Sequence, residues 1–308
     1  MGAAIVAFKA VAPLFLAIFA GVVFSRSKAV TENWIDILNK YALKIGLPAL
    51  VIASLMRIAP GAVDFRFIAI NSVYFVAAML LAYPVARIFR LSKQVRSALF
   101  LVFSYGNVAY LGIPVLQNSY GEAALPLAGV ISSVYIFWML TLGVTLVELH
   151  SDHRMTAREF VKNQLGNPLM LSVIIGLVLV SLKIELPAVI NETIRLFAGS
   201  VTAVVLFSLG IFLGLHRTGS LRDWGSAFLY SLVILLVLPF AFYFVVKNTG
   251  LSELQLKSTI LEAAMPLGLT PYALATQYKL ETSLIARIVV VSTMLSLITV
   301  PIWIAMLG

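Results

Sequence analysis

Long apolar runs separated by short polar loops dominate the chain. A membrane-spanning helix needs about 20 mostly apolar residues. Ten stretches approach that: residues 4–25, 35–57, 66–89, 97–117, 122–147, 165–182, 188–215, 223–246, 254–277 and 283–307. The second is weakened by Asp36, Lys40 and Lys44, and the sixth is short because Asn163, Gln164 and Asn167 precede it. The pattern predicts an all-α integral membrane protein. Residues 4–24 read as a retained first span, because the run is long for a signal peptide and lacks a preceding basic stretch.

Composition agrees with the pattern. Of 308 residues, 61% are hydrophobic and 11% charged, and mean hydropathy is +1.02. Soluble domains carry about a quarter charged residues. The net charge of +9 is not a nucleic-acid footprint, since the basic residues sit in short loops. Arg26, Lys28, Arg87, Arg90, Lys93, Arg96, Arg154, Arg158, Lys162, Arg217, Arg222 and Lys279 fall on one side of a ten-span layout. Arg66, Lys183 and Lys247 fall on the other. Positive charge marks the cytoplasmic side, which puts both termini outside. Cysteine is absent, which excludes disulfides and thiolate chemistry.

Ten spans divide into two sets of five, and an odd number forces the second set to insert upside down. The expected division is 1–150, a cytoplasmic loop at 151–164, and 165–308. The halves echo each other: Ser54-Leu55 in span 2 matches Ser208-Leu209 in span 7, and Pro84 in span 3 matches Pro239 in span 8. Span 4 carries Leu111-Gly112-Ile113-Pro114, and span 9 carries Leu267-Gly268-Leu269-Thr270-Pro271 after Pro266. Proline removes a backbone donor and clashes with the preceding turn, and the freed groups cannot face lipid. Matched breaks in inverted repeats point to the binding site of a secondary transporter. Half-helix N-termini there can bind an anion without a full cation.

The run Gly106-Asn-Val-Ala-Tyr-Leu-Gly-Ile-Pro-Val-Leu-Gln-Asn-Ser-Tyr-Gly121 resembles the crossover segment of the auxin efflux carrier family. Leu47-Pro48-Ala49-Leu50, Arg66-Phe67-Ile68-Ala69, Asn167-Pro168, Phe207-Ser208-Leu209-Gly210 and Met265 to Pro271 extend the resemblance along the chain. It implies ten transmembrane helices in two inverted five-helix repeats, related to bile-acid symporters and sodium–proton antiporters. Spans 4 and 9 would cross as broken helices in a mobile transport domain. Spans 1, 2, 6 and 7 would form a scaffold and the contact of a homodimer, with elevator-type movement. The resemblance is to bacterial members of the plasma membrane. One departure concerns a charged pair that plant carriers have in span 3, where this chain holds Asn71 and Phe75.

The candidate substrate-binding set is Asn107, Tyr110, Gly112, Ile113, Pro114 and Gln117 on span 4, with Pro266, Thr270, Pro271 and Tyr272 on span 9. Asn107 either donates its amide to a carboxylate or caps a half-helix. Glu262 and Asn71 are candidates for proton or ion coupling. An intramembrane charge is a functional hypothesis by default, and the bland alternative pairs Glu262 with Lys257 or a nearby cation. His150, His153 and His216 offer no metal-binding pattern. No nucleophile elbow, zinc-helix motif or phosphate loop occurs, so neither an enzyme nor a bound cofactor is expected. The expected function is secondary transport of small organic anions, such as malonate or auxin-like acids, coupled to protons or uniport. A sodium-coupled bile-acid-type symporter is the alternative, and a channel or receptor a more distant one.

Overall fold

The computed structural model describes residues 2–56, 65–149, 158, 166, 168–215, 221–278 and 280–308. The histidines and the loop expected at 151–164, Arg158 apart, lie outside them. The described residues contain helices and no strand, and one isolated β-bridge. In chain order, α1 is Gly2–Phe24, α2 is Glu32–Tyr41 and α3 is Leu47–Leu55, the last two joined by a π-helical turn at Ala42–Gly46. Next come α4 (Phe65–Leu80), α5 (Ala82–Ile88), α6 (Lys93–Ser104), a π-helical turn at Val108–Gly112 and α7 (Ile113–Tyr120). They are followed by α8 (Leu125–Trp138), α9 (Val144–Leu149), α10 (Pro168–Ser181) and α11 (Ala188–Leu215). The chain closes with α12 (Leu221–Leu232), α13 (Leu238–Val246), α14 (Glu253–Ala263), α15 (Thr270–Gln277) and α16 (Thr282–Leu307).

Among the described residues, five helical stretches are long and apolar enough to cross a membrane: Phe65–Ile88, Glu122–Val147, Ala188–Leu215, Trp224–Val246 and Thr282–Leu307. The runs at 97–117 and 254–277 are each interrupted, as their Pro and Gly residues predict. Pro114 and Pro239 both occupy the second position of a helix that restarts after a π-helical turn. The wider π-helical turn before each makes room for a proline ring that would clash with the carbonyl four residues back in a regular helix.

The outer surface is apolar, with Phe19, Ile174, Val189, Phe228, Phe240 and Ile298 all exposed. Soluble proteins rarely expose so much contiguous apolar surface, whereas lipid accepts it. One packed group joins α1, α2, α3, α10 and α11, and a second joins α4, α6, α8, α12 to α14 and α16. Helix α1 packs tightly on α11, where a Cβ on Gly210 would lie 2.0 Å from the Ile18 carbonyl and one on Gly21 2.2 Å from the Phe207 carbonyl. Gly210 and Gly214 form a small-xxx-small stripe that lets two backbones touch.

Candidate functional site

The two interruptions meet. Helix α6 ends at Ser104, and Tyr105 to Asn107 leave helical geometry before the chain recoils at Val108. Helix α14 ends at Ala263, and residues 264–269 are non-helical until α15 begins at Thr270. Gly106 and Leu267 form an antiparallel β-bridge. The Asn107 N–H donates to the Pro266 carbonyl at 2.6 Å, and the Gly268 N–H reaches the Tyr105 carbonyl at 3.5 Å. Each break satisfies backbone groups that the other has freed, as an apolar interior requires. Gly106 allows the approach, since a Cβ there would lie 3.2 Å from the Met265 carbonyl.

Ser292 on α16 completes this accounting by accepting the Leu267 N–H at 3.1 Å. Nothing in the apolar pattern singled it out. Replacing Ser292 with alanine strands a buried donor, which costs about 1–3 kcal/mol. Thermal unfolding in detergent should show that loss, with Ser292→Thr retaining most of the stability.

The helix polarities sort the crossing into two sides. Helices α6 and α14 bring their C-terminal ends to it, while the segment from Val108 and helix α15 bring N-terminal ends. The first pair presents partial negative charge, the second partial positive charge and unpaired amides. Asn107, Tyr110, Gly112, Ile113, Pro114, Pro266 and Pro271 are all buried at or beside the crossing, with Thr270 and Tyr272 partly buried. The Tyr105 phenol lies within reach of the Thr270 side chain, and Tyr272 packs edge-on against Phe212 at 4.9 Å. The Asn107 side chain makes no capping bond. Its carbonyl serves that end instead, accepting from Leu111 and Gly112. Its buried Nδ2 has no acceptor among the described residues. Gln117 departs from expectation: the helix carries it away from the crossing, and its amide donates to Glu122 at 2.6 Å.

On the side of the C-terminal ends lies a small cavity lined by Tyr74, Ser104, Gly106, Tyr135, Glu262 and Met265, among others. Glu262 is fully buried, and neither carboxylate oxygen has a hydrogen-bond partner among the described residues. The alternative pairing with Lys257 is not found. Lys257 binds Glu253 at 2.7 Å and the Gly308 carbonyl at 2.5 Å. It faces away because positions 257 and 262 are five apart, which puts them on different faces of one helix. The carboxylate rests on Gly112, where a Cβ would lie 1.9 Å from Oε2. Asn71 lies on α4 about one turn before Tyr74, donating to Thr259 at 3.2 Å and to the Phe67 carbonyl at 2.9 Å. The Tyr74 hydroxyl donates to the Ala263 carbonyl at 3.4 Å, and Tyr135, whose buried hydroxyl lacks a partner among the described residues, packs beside Phe75. Tyr74 and Tyr135 escaped sequence reasoning because a single tyrosine in an apolar run reads as packing.

Comparison with known proteins points to membrane transport. The model of the membrane transport protein family matches residues 6–304. An uncharacterized transporter of Methanocaldococcus jannaschii is 23% identical over 279 residues, covering 88% of this chain and 89% of that protein. The uncharacterized transporter YfdV of Escherichia coli is 21% identical over 301 residues, 95% of each chain. The probable auxin efflux carrier component 1b of Oryza sativa is 26% identical over 159 residues, 50% of this chain and 28% of that protein. With the family model spanning nearly its whole length, the chain belongs to the membrane transport protein family that includes the auxin efflux carriers, and it is a multi-pass membrane transporter.

Proposed function

We propose that this transporter is a secondary carrier of small organic anions, carboxylates such as malonate or auxin-like acids, working by elevator-type alternating access. The observation that carries the reading is the crossing itself. Two half-helix N-termini and the unpaired Asn107 amide converge on one side of it, an arrangement suited to a carboxylate. The helix neighbours support two inverted five-helix repeats divided at the 151–164 loop. Helix α1 lies on α11 as α10 lies on α3, α4 on α8 as α12 on α16, and α6 meets α16 as α14 meets α8. The group of α1, α2, α3, α10 and α11 is the scaffold and carries the homodimer contact, and the other group moves. Both termini face the outside of a bacterial plasma membrane, by the loop charges.

Glu262 is the coupling group, with Asn71 in support. An isolated carboxylate charge is very costly in a dry interior, so it travels with a proton or a bound cation. The adjacent cavity at two helix C-termini favours either. Sodium coupling is therefore the second reading, and sodium-dependent stabilisation insensitive to pH would select it.

The test is uptake of labelled malonate and aromatic carboxylates by proteoliposomes. Saturable uptake is expected in the wild type. Asn107→Ala should lower it about 10–100-fold, the loss of a hydrogen bond to a charged group. Flux of no carboxylate, or an Asn107→Ala carrier identical to wild type, defeats the reading; unsaturable flux would mark a channel.

A further inference from the structure

The turn joining α5 to α6 concentrates charge that the transport site does not use. Arg87, Arg90, Lys93 and Arg96 fall within ten residues, and no acidic residue occurs between Phe65 and Gly121. Arg87, Arg90 and Lys93 are exposed, and none of the four has an ion-pair partner among the described residues. Two large apolar side chains are set among them, Ile88 at 72% exposure and Phe89 at 62%. Arg96 is half-buried, with its guanidinium 5.9 Å over the Tyr83 ring and a buried Nε that finds no acceptor among the described residues.

The backbone adds a second observation. Arg90 has φ 51, in the left-handed region. The Leu91 N–H donates to the Ala86 carbonyl and the Arg90 N–H to the Arg87 carbonyl. This is the helix-ending motif whose left-handed position is normally glycine. An arginine there strains the backbone that glycine would relax, while presenting its cation at the outermost point of the turn.

We propose that this turn binds the headgroup of an anionic phospholipid. The three exposed cations and Arg96 contact the phosphate, and Ile88 and Phe89 lie along the acyl chains. Basic clusters next to membrane spans attract acidic lipids, at about fivefold per cation. A free phosphate would satisfy the cations but leave the two apolar side chains idle. The turn joins α4 and α5 to α6, which leads directly into the break at Tyr105, so the lipid would anchor one end of the crossing segment to the bilayer surface.

The test is thermal unfolding of the full chain in detergent with added phosphatidylglycerol, phosphatidylcholine or inorganic phosphate. Phosphatidylglycerol should raise the midpoint by roughly 2–4 °C more than phosphatidylcholine, and inorganic phosphate should not. Arg90→Gly relaxes the turn, so it should be at least as stable without lipid yet lose most of that increment. Arg87→Gln with Lys93→Gln should lose it too. Lys183→Gly serves as control, because Lys183 shares the left-handed conformation at φ 52 but has Glu185 beside it and no cluster. An unchanged increment in the Arg90 and Arg87/Lys93 variants, an equal one from inorganic phosphate, or none in the wild type overturns the proposal.

Discussion

Gly210→Leu should leave almost no folded protein, whereas Gly199→Ala should be close to neutral. The contrast lies in what a new side chain meets. At Gly210 a Cβ would sit 2.0 Å from the Ile18 carbonyl oxygen and 2.8 Å from the Gly21 Cα, and both obstacles are backbone. Neither can rotate away, so α1 and α11 must separate along their whole crossing. Overpacking a core with flexible neighbours costs about 1–3 kcal/mol; a clash with backbone on a main helix contact should exceed that range. At Gly199, on the same helix α11, nothing lies within 4 Å. Replacing a helical glycine with alanine there removes backbone freedom and costs nothing in space. Size-exclusion profiles in detergent measure both, and a monodisperse Gly210→Leu peak at wild-type yield would refute the backbone contact.

That contact also marks where sequence reasoning reaches and where it stops. Five of the spans, at Phe65–Ile88, Glu122–Val147, Ala188–Leu215, Trp224–Val246 and Thr282–Leu307, were legible because lipid imposes one rule on every residue of a run, and an apolar stretch of the right length satisfies few other folds. The break in span 9 was legible because Pro266 and Pro271 disturb a helix locally, whereas the break in span 4 falls at Tyr105 to Asn107 and the helix runs on through Pro114. What these local signals leave open is the partner. The bond from the Asn107 backbone N–H to the Pro266 carbonyl joins positions 159 apart, and no periodicity encodes it. Ser292 was invisible for the same reason, since its hydroxyl matters only because Leu267 arrives there. Gln117 shows the opposite case. It shares a span with Asn107, but ten residues of helix rise about 15 Å, which carries it to Glu122. Sharing a span is not sharing a site. Lys257 and Glu262 repeat the lesson on α14, where opposite charges on one helix serve different faces.

Gly112→Ala should abolish transport and lower stability, and only the loss of stability should be partly relieved by adding Glu262→Ala. A methyl at Gly112 would occupy the place of the Glu262 carboxylate, whose carbon lies 2.6 Å and nearest oxygen 1.9 Å from the new Cβ. The carboxylate is fully buried, so it must swing into the cavity beside Tyr135 or push the span-4 segment away from α14. Either movement disturbs the crossing that the bridge between Gly106 and Leu267 holds together. Glu262→Ala alone should keep the fold, because it removes a buried group without a partner among the described residues, yet it removes the coupling group of the proposed carrier. In the double variant the methyl finds the space that the shortened side chain has vacated. Stability should therefore return toward that of Glu262→Ala, with a coupling of about 0.5–3 kcal/mol between the two sites, while transport stays lost. Thermal unfolding reads the first quantity and proteoliposome uptake the second. Strictly additive stabilities would mean that Gly112 and Glu262 do not touch, and recovery of coupled transport in the double variant would remove Glu262 from the mechanism while leaving the packing argument intact.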